Sequence, residues 1–241
     1  MLSRLYRYGQ SPNSHDLLKT LATVLMIIDH LGAYVFVQHT WMRILGRGAA
    51  PCFFFLIGYF PPKLPTKPLL IYGTLLTILF YYTNHTFFLN ILLNFAFIKL
   101  FLLFLDDQSF EELQWQWLIM LLVFFNPLLY PFIEYGTSGL LIALSAHLLI
   151  KNAPNSKGFL TFAVFHLLFY EFFGLNPLSP ADMLLFTLVA CSVFFILLFY
   201  HLREWHTPPG TGILFLLISR YSLAIYFWHL AVLRLIHYAY K

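Results

Sequence analysis

An Asp-His pair, Asp29-His30, sits inside an otherwise apolar stretch that runs from Leu17 to Val37, and Arg43 and Arg47 follow before the next apolar run. Ionisable groups at membrane depth are expensive, and they persist where a bundle interior or a wet cavity uses them. Neighbours on a helix point about 100° apart, so Asp29 and His30 do not face each other as a dyad. Asp29 needs a partner from another helix, and Arg43 or Arg47 is nearest in sequence. His30 then faces another way, where its imidazole is suited to act as a base. The two arginines are four residues apart, which puts both on one helical face as a planar fork for phosphate or carboxylate. The alternative is that they snorkel to the headgroups. Gly46, Gly48, Ala49 and Ala50 lie among them, small enough for another helix or a ligand to approach the backbone. Pro51 loosens the hydrogen-bond ladder just beyond.

A second group lies in the last apolar segment. Ser222, Tyr226 and His229 are spaced by four and then three, which aligns three hydrogen-bonding groups on one stripe, like the wall of a cavity. The bland alternative places Tyr226 and His229 at an aromatic membrane interface. The other histidines are weaker. His15, His39, His85, His201, His206 and His237 lie at segment ends, and His147 and His166 lie inside apolar runs without an acidic or basic cluster nearby. Glu134 and Glu171, near segment ends, are expected to be exposed. No metal-binding helical spacing of histidines occurs, and no HExxH, CxxC, GxSxG, P-loop or dinucleotide fingerprint, so no metal is expected.

What must position these groups is set by composition. Of 241 residues, 60% are apolar and 10% charged, with 28 Phe, far from the balance of a soluble domain. Nine stretches are close to bilayer length: Leu17–Val37, Trp41–Phe60, Leu69–Thr83, Phe87–Leu105, Trp117–Ile133, Thr137–Ile150, Phe159–Phe173, Met183–Tyr200 and Ile213–Tyr238. Three are short, so eight to ten helices are expected. The breaks are too brief to be linkers. The expectation is one all-α polytopic transmembrane bundle over residues 1–241, with a polar leader over residues 1–16 and a polar intramembrane site. No cleavable signal peptide is apparent. Cys52 and Cys191, within apolar segments, read as small core residues. The net charge of +4 is scattered at segment ends, which suits membrane topology and not nucleic acid. Arg4, Arg7 and Lys19 place the N-terminus in the cytoplasm, and Lys63, Lys67, Lys151, Lys157 and Arg203 fall on the same side of nine helices.

The run Leu18–Gly32, the run Arg43–Leu56 with its Arg–Gly-Arg–Pro–Phe pattern, and the tail Tyr221–His229 together resemble the TraX family, and the tail resembles the closing Tyr–His helix of the wider integral-membrane acyltransferases. The resemblance is good over residues 17–60, moderate over 213–233 and compositional between. It implies a bacterial inner-membrane protein that moves an acetyl or other acyl group from acyl-coenzyme A to an acceptor, for which a pilin N-terminal amine or a glycan is the expected class. Under that implication His30 is the base, and Asp29 tunes or orients a cationic partner. Arg43, Arg47 and Lys19 meet the coenzyme phosphates, while Ser222, Tyr226 and His229 line the substrate pocket. Two rivals stand beside it: a small-anion or proton-coupled transporter, which also buries Asp, His and Arg, and a non-catalytic assembly subunit.

Overall fold

The computed structural model describes residues 13–85, 88–106, 112–175, 179–200 and 212–239. Among them every regular element is helical: α1 Ser14–Tyr34, α2 Thr40–Gly46, α3 Ala49–Tyr59, α4 Lys67–Asn84, α5 Ile91–Asp106, α6 Glu112–Leu129, α7 Ser138–Ile150, α8 Ser156–Phe173, α9 Pro180–Tyr200 and α10 Ile213–Ala239. Each apolar stretch became helix, and two of the short ones, Leu69–Thr83 and Phe159–Phe173, gained residues at their ends. The second stretch is broken. The chain tightens at Arg47 and Gly48, where the Gly48 amide donates to Leu45 O. Pro51 then falls in the first turn of α3, a position that tolerates it.

α1, α9 and α10 are long and apolar enough to cross a membrane. The lipid-ready surface is visible on α9, where Met183, Leu184, Leu188, Phe195 and Phe199 are exposed. No water is available at that depth for bare backbone groups, so helices are the natural solution. This is a helical membrane protein.

Alternation of the helices gives the bundle two ends. At one end α1 starts under an Asn13 capping box, its side chain accepting from the His15 and Asp16 amides. Asp16 in turn accepts from Ser219 at the start of α10, and Thr20 donates to Phe215 O, so α1 and α10 are pinned together. Lys19, Lys63, Lys67, Lys99, Lys151 and Lys157 all belong to this end. There Asp106 closes α5 onto α7 through Lys151 Nζ at 2.7 Å, and that ammonium holds the Asp106 carboxyl below its ordinary range. Arg4, Arg7 and Arg203 lie outside the described residues.

The opposite end is closed by a turn between α6 and α7. Leu89 pairs with Ile133, and the Glu134 amide donates to Leu89 O at 2.9 Å. Asn126 of α6 accepts from the amides of Thr137 and Ser138 and so caps α7. The core centres on α3 and α7, which cross at Gly58. A Cβ there would fall 1.8 Å from Ala143 O, so the two backbones touch. Cys52, fully buried, and Cys191 are both free.

Candidate active site

Gly46 decides how the site is built. A Cβ on it would fall 2.2 Å from Asp29 Cβ and 2.6 Å from Asp29 Cα. Its absence lets α2 lie directly against α1 and brings Arg43 alongside Asp29. Arg43 Nη1 donates to Asp29 Oδ2 at 2.7 Å and to Asp29 O at 3.1 Å. Arg47 turns to α8 instead, pairing with Glu171, and Tyr130 donates to the other Glu171 oxygen at 3.0 Å. Each arginine of the expected fork is thus neutralised by its own carboxylate from a different helix.

His30 meets a partner 199 residues away, with His30 Nδ1 2.6 Å from His229 Nε2. His229 Nδ1 lies 2.6 Å from Ile225 O. A carbonyl only accepts, so His229 Nδ1 carries the proton and Nε2 of the neutral ring is a lone pair. His30 Nδ1–H must then donate to it, and His30 Nε2 is left as the unprotonated nitrogen. The chain of bonds selects the tautomer a general base requires. Tyr226 packs edge-on against His30, with ring centroids 5.7 Å apart, and its buried hydroxyl has no hydrogen-bond partner among the described residues. Asp29 Oδ1 is likewise buried and unpaired.

Two cavities meet at this point. One, of about 260 Å³, runs inward from Lys19, Lys99, Phe60 and Thr66 at the lysine end, past a wall of Gly46, Ala49 and Ala50, to Asp29, His30, Ser222 and Tyr226. The other, of about 370 Å³, lies toward the opposite end among Tyr34, Arg43, Arg47, Tyr130, Glu171 and Arg234. Asp29, His30, Glu134 and Tyr135 border both. The three-carboxylate, three-arginine composition of this region is nearly balanced. Arg234, packed over the Phe80 ring at 3.7 Å, donates to Thr83 Oγ1 at 3.2 Å.

The structure therefore brings Asp29, His30, Arg43, Arg47, Ser222, Tyr226 and His229 around one waist and leaves Lys19 at a distant mouth. It also corrects the reading of the two glutamates. Glu171 is 3% exposed, and Glu134 accepts from the Ile91 amide at 2.8 Å. Burial pushes the Glu134 carboxyl up to about 7. Both looked terminal in sequence, yet the turn and the end of α8 fold inward. The hint was charge balance, since three half-buried arginines in an apolar bundle call for carboxylates beside them. His147 does have charged neighbours, with Nε2 3.4 Å from Asp106 Oδ1, and His166 bonds to Ser138 Oγ at 3.0 Å. Neither borders the two cavities. His201 and His206 lie outside the described residues. No cluster of three potential metal ligands occurs among the described residues.

Residues 14–237 match the family described as TraX protein. Among curated proteins, the chain is 48% identical over 66 residues to "Uncharacterized protein RP591" of Rickettsia prowazekii (strain Madrid E), covering 27% of each chain. It is 42% identical over 48 residues to "Protein TraX" of Escherichia coli (strain K12), covering 20% of this chain and 19% of that one. These alignments span about a quarter and a fifth of the relatives' lengths. No solved structure matches. With the family match running through nearly the whole bundle, from α1 into the last helix, the chain belongs to the TraX family.

Proposed function

We propose that this protein is a membrane-embedded acyltransferase that moves an acetyl or other acyl group from acyl-coenzyme A to an amine or hydroxyl acceptor. One observation carries the reading: His30, with its tautomer set by His229, stands where two cavities from opposite ends of the bundle meet.

The chemistry follows from the atoms. The acceptor nucleophile adds to the thioester carbonyl carbon while His30 Nε2 takes its proton. Charge collects on the carbonyl oxygen, where a preorganised donor lowers the barrier most. The tetrahedral centre collapses, the C–S bond breaks, and the leaving thiolate takes the proton back from His30. His229 shares the transient positive charge through the Nδ1–H bond, and the Asp29 carboxylate, fixed by Arg43, adds a compensating negative charge beside it. Released thiol and acylated acceptor balance the equation. Arg43 and Arg47 serve this scheme by fixing α1, α2 and α8 around the waist.

In this reading the protein sits in a bacterial inner membrane with its N-terminus cytoplasmic, which the six described lysines at one end support through the positive-inside rule. The lysine-end cavity then receives the donor. The other cavity receives the acceptor, and the family resemblance suggests a pilin N-terminal amine, with a glycan as the second class. Two cavities abutting at a titratable waist also suit proton-coupled transport.

The discriminating experiment uses sealed vesicles containing purified protein oriented by affinity tag, with radiolabelled acetyl-coenzyme A and a panel of amine and hydroxyl acceptors on chosen sides. Label appearing on an acceptor, with free thiol released on the lysine-end side, supports transfer. Flux of a small anion or of protons without any thioester consumption overturns it in favour of the transporter.

A further inference from the structure

Lys19 of α1 and Lys99 of α5 both border the mouth of the lysine-end cavity. They act on one another as like charges, and Lys63 adds a third positive charge near Lys99. Among the described residues neither Lys19 nor Lys99 forms an ion pair with a carboxylate. The nearest acid, Asp16, is already held by Ser219 Oγ at 2.7 Å and by the Asn13 amide. That carboxylate offsets the charge on Lys19 only in part, so three amines, Lys19, Lys99 and Lys63, face one carboxylate over a largely apolar tunnel, an excess of positive charge suited to an anion with a long uncharged arm.

The length of the arm can be measured against the helix. Lys19 and His30 are separated by eleven residues of α1, which at 1.5 Å per residue is roughly 16 Å. A pantetheine arm, from its phosphate oxygen to its sulfur, has about the backbone of four to five extended residues, roughly 14–17 Å. A phosphate held between the lysines therefore delivers a sulfur to the His30 waist. The tunnel wall of Gly46, Ala49 and Ala50 is bare enough to pass the arm, and Phe53, Leu56, Ile57 and Leu92 flank it. Arg43 and Arg47 are unsuited to this task because both are neutralised by carboxylates and neither borders this cavity.

We infer that Lys19 and Lys99 form the phosphate clamp of a phosphopantetheine thioester, which enters from the lysine end and reaches His30 through this tunnel. The inference rests on the acyl-transfer reading, but binding tests it independently of turnover. The probes are free coenzyme A and 4′-phosphopantetheine, the group a carrier protein presents, each titrated calorimetrically into detergent-purified protein. Phosphate-free pantetheine is the control.

The expected result is that Lys19→Gln and Lys99→Gln each weaken both phosphorylated probes about tenfold, as loss of a charge-assisted bond does. Binding of pantetheine should be unmoved in both lysine variants. Lys157→Gln, at the same end but away from the cavity, controls for net charge, and thermal unfolding controls for folding. Tighter binding of coenzyme A than of phosphopantetheine assigns the free nucleotide thioester as donor, and equal binding assigns the shared group a carrier also offers. Wild-type affinity in the Lys19→Gln/Lys99→Gln double variant overturns the clamp, as does a wild type that binds neither phosphorylated probe. Lysine-dependent binding without any thioester turnover upholds the clamp and refutes the acyltransferase reading.

Discussion

Gly46→Ala is the sharpest perturbation available, because one methyl group lands on the joint that assembles the site. The added carbon would lie 2.2 Å from Asp29 Cβ. Apolar carbons rest near 3.5–4.0 Å, so α1 and α2 must part by roughly 1 Å or more. The contact is with backbone and with the first side-chain carbon, so no flexible tip can swing away. Arg43 Nη1 now sits 2.7 Å from Asp29 Oδ2, and the same displacement carries that bond beyond the usual 3.2 Å limit. Overpacking of this kind destabilises by about 1–3 kcal/mol. A misplacement of about 1 Å at reacting groups lowers turnover roughly 100-fold. The assay pairs thermal unfolding in detergent with thiol release from acetyl-coenzyme A. Gly158→Ala is the control, since a Cβ there meets nothing within 4 Å, and it should be neutral or slightly stabilising. Wild-type stability and turnover in Gly46→Ala would refute the close crossing. Lost stability with full turnover would show that the Asp29–Arg43 geometry is not part of the chemistry.

Tyr226→Phe removes a buried hydroxyl that has no partner among the described residues, so its stability should be unchanged, while turnover should fall about 100- to 1,000-fold if that hydroxyl meets the developing oxyanion; an undiminished rate would release Tyr226 from the mechanism. Glu171→Ala leaves Arg47 buried and unpaired, and should lower stability by about 3–5 kcal/mol; thermal unfolding should show that Arg47→Met with Glu171→Leu recovers most of the loss. Glu134 sits in the α6–α7 turn, where burial raises its carboxyl from 4.5 to about 7. A raised folded-state pKa means its contribution is full below pH 4.5 and is lost as pH rises through about 7. Unfolding midpoints should therefore drop across that window in the wild type, and Glu134→Gln should flatten the drop.

The helices were legible because their signal is local. Nine apolar stretches of bilayer length need only composition and spacing to be recognised, and each became helix. The need of Asp29 for a cationic partner was legible too, since a lone carboxylate in an apolar segment is untenable. What escaped was set by pairings across the bundle. His30 and His229 are 199 residues apart, and no local periodicity announces that two lone histidines will share a proton. The same stripe of Ser222, Tyr226 and His229 reads equally well as a cavity wall or an interface until α10 is placed against α1. Arg43 and Arg47 looked like one fork, but Asp29 of α1 and the inward-turned Glu171 of α8 gave each its own carboxylate. Glu134 looked exposed because proximity to a segment end usually means water, whereas here the turn is tied inward by Leu89 and Ile91.

The most direct test of the central claim is thiol release from acetyl-coenzyme A by purified wild type and His30→Ala, each with a peptide-amine acceptor and each shown by thermal unfolding to be folded. The wild type should give acylated acceptor and stoichiometric free thiol, and His30→Ala should lose at least about 100-fold with its unfolding midpoint preserved. Equal turnover by the two proteins would remove His30 from the chemistry and contradict the account.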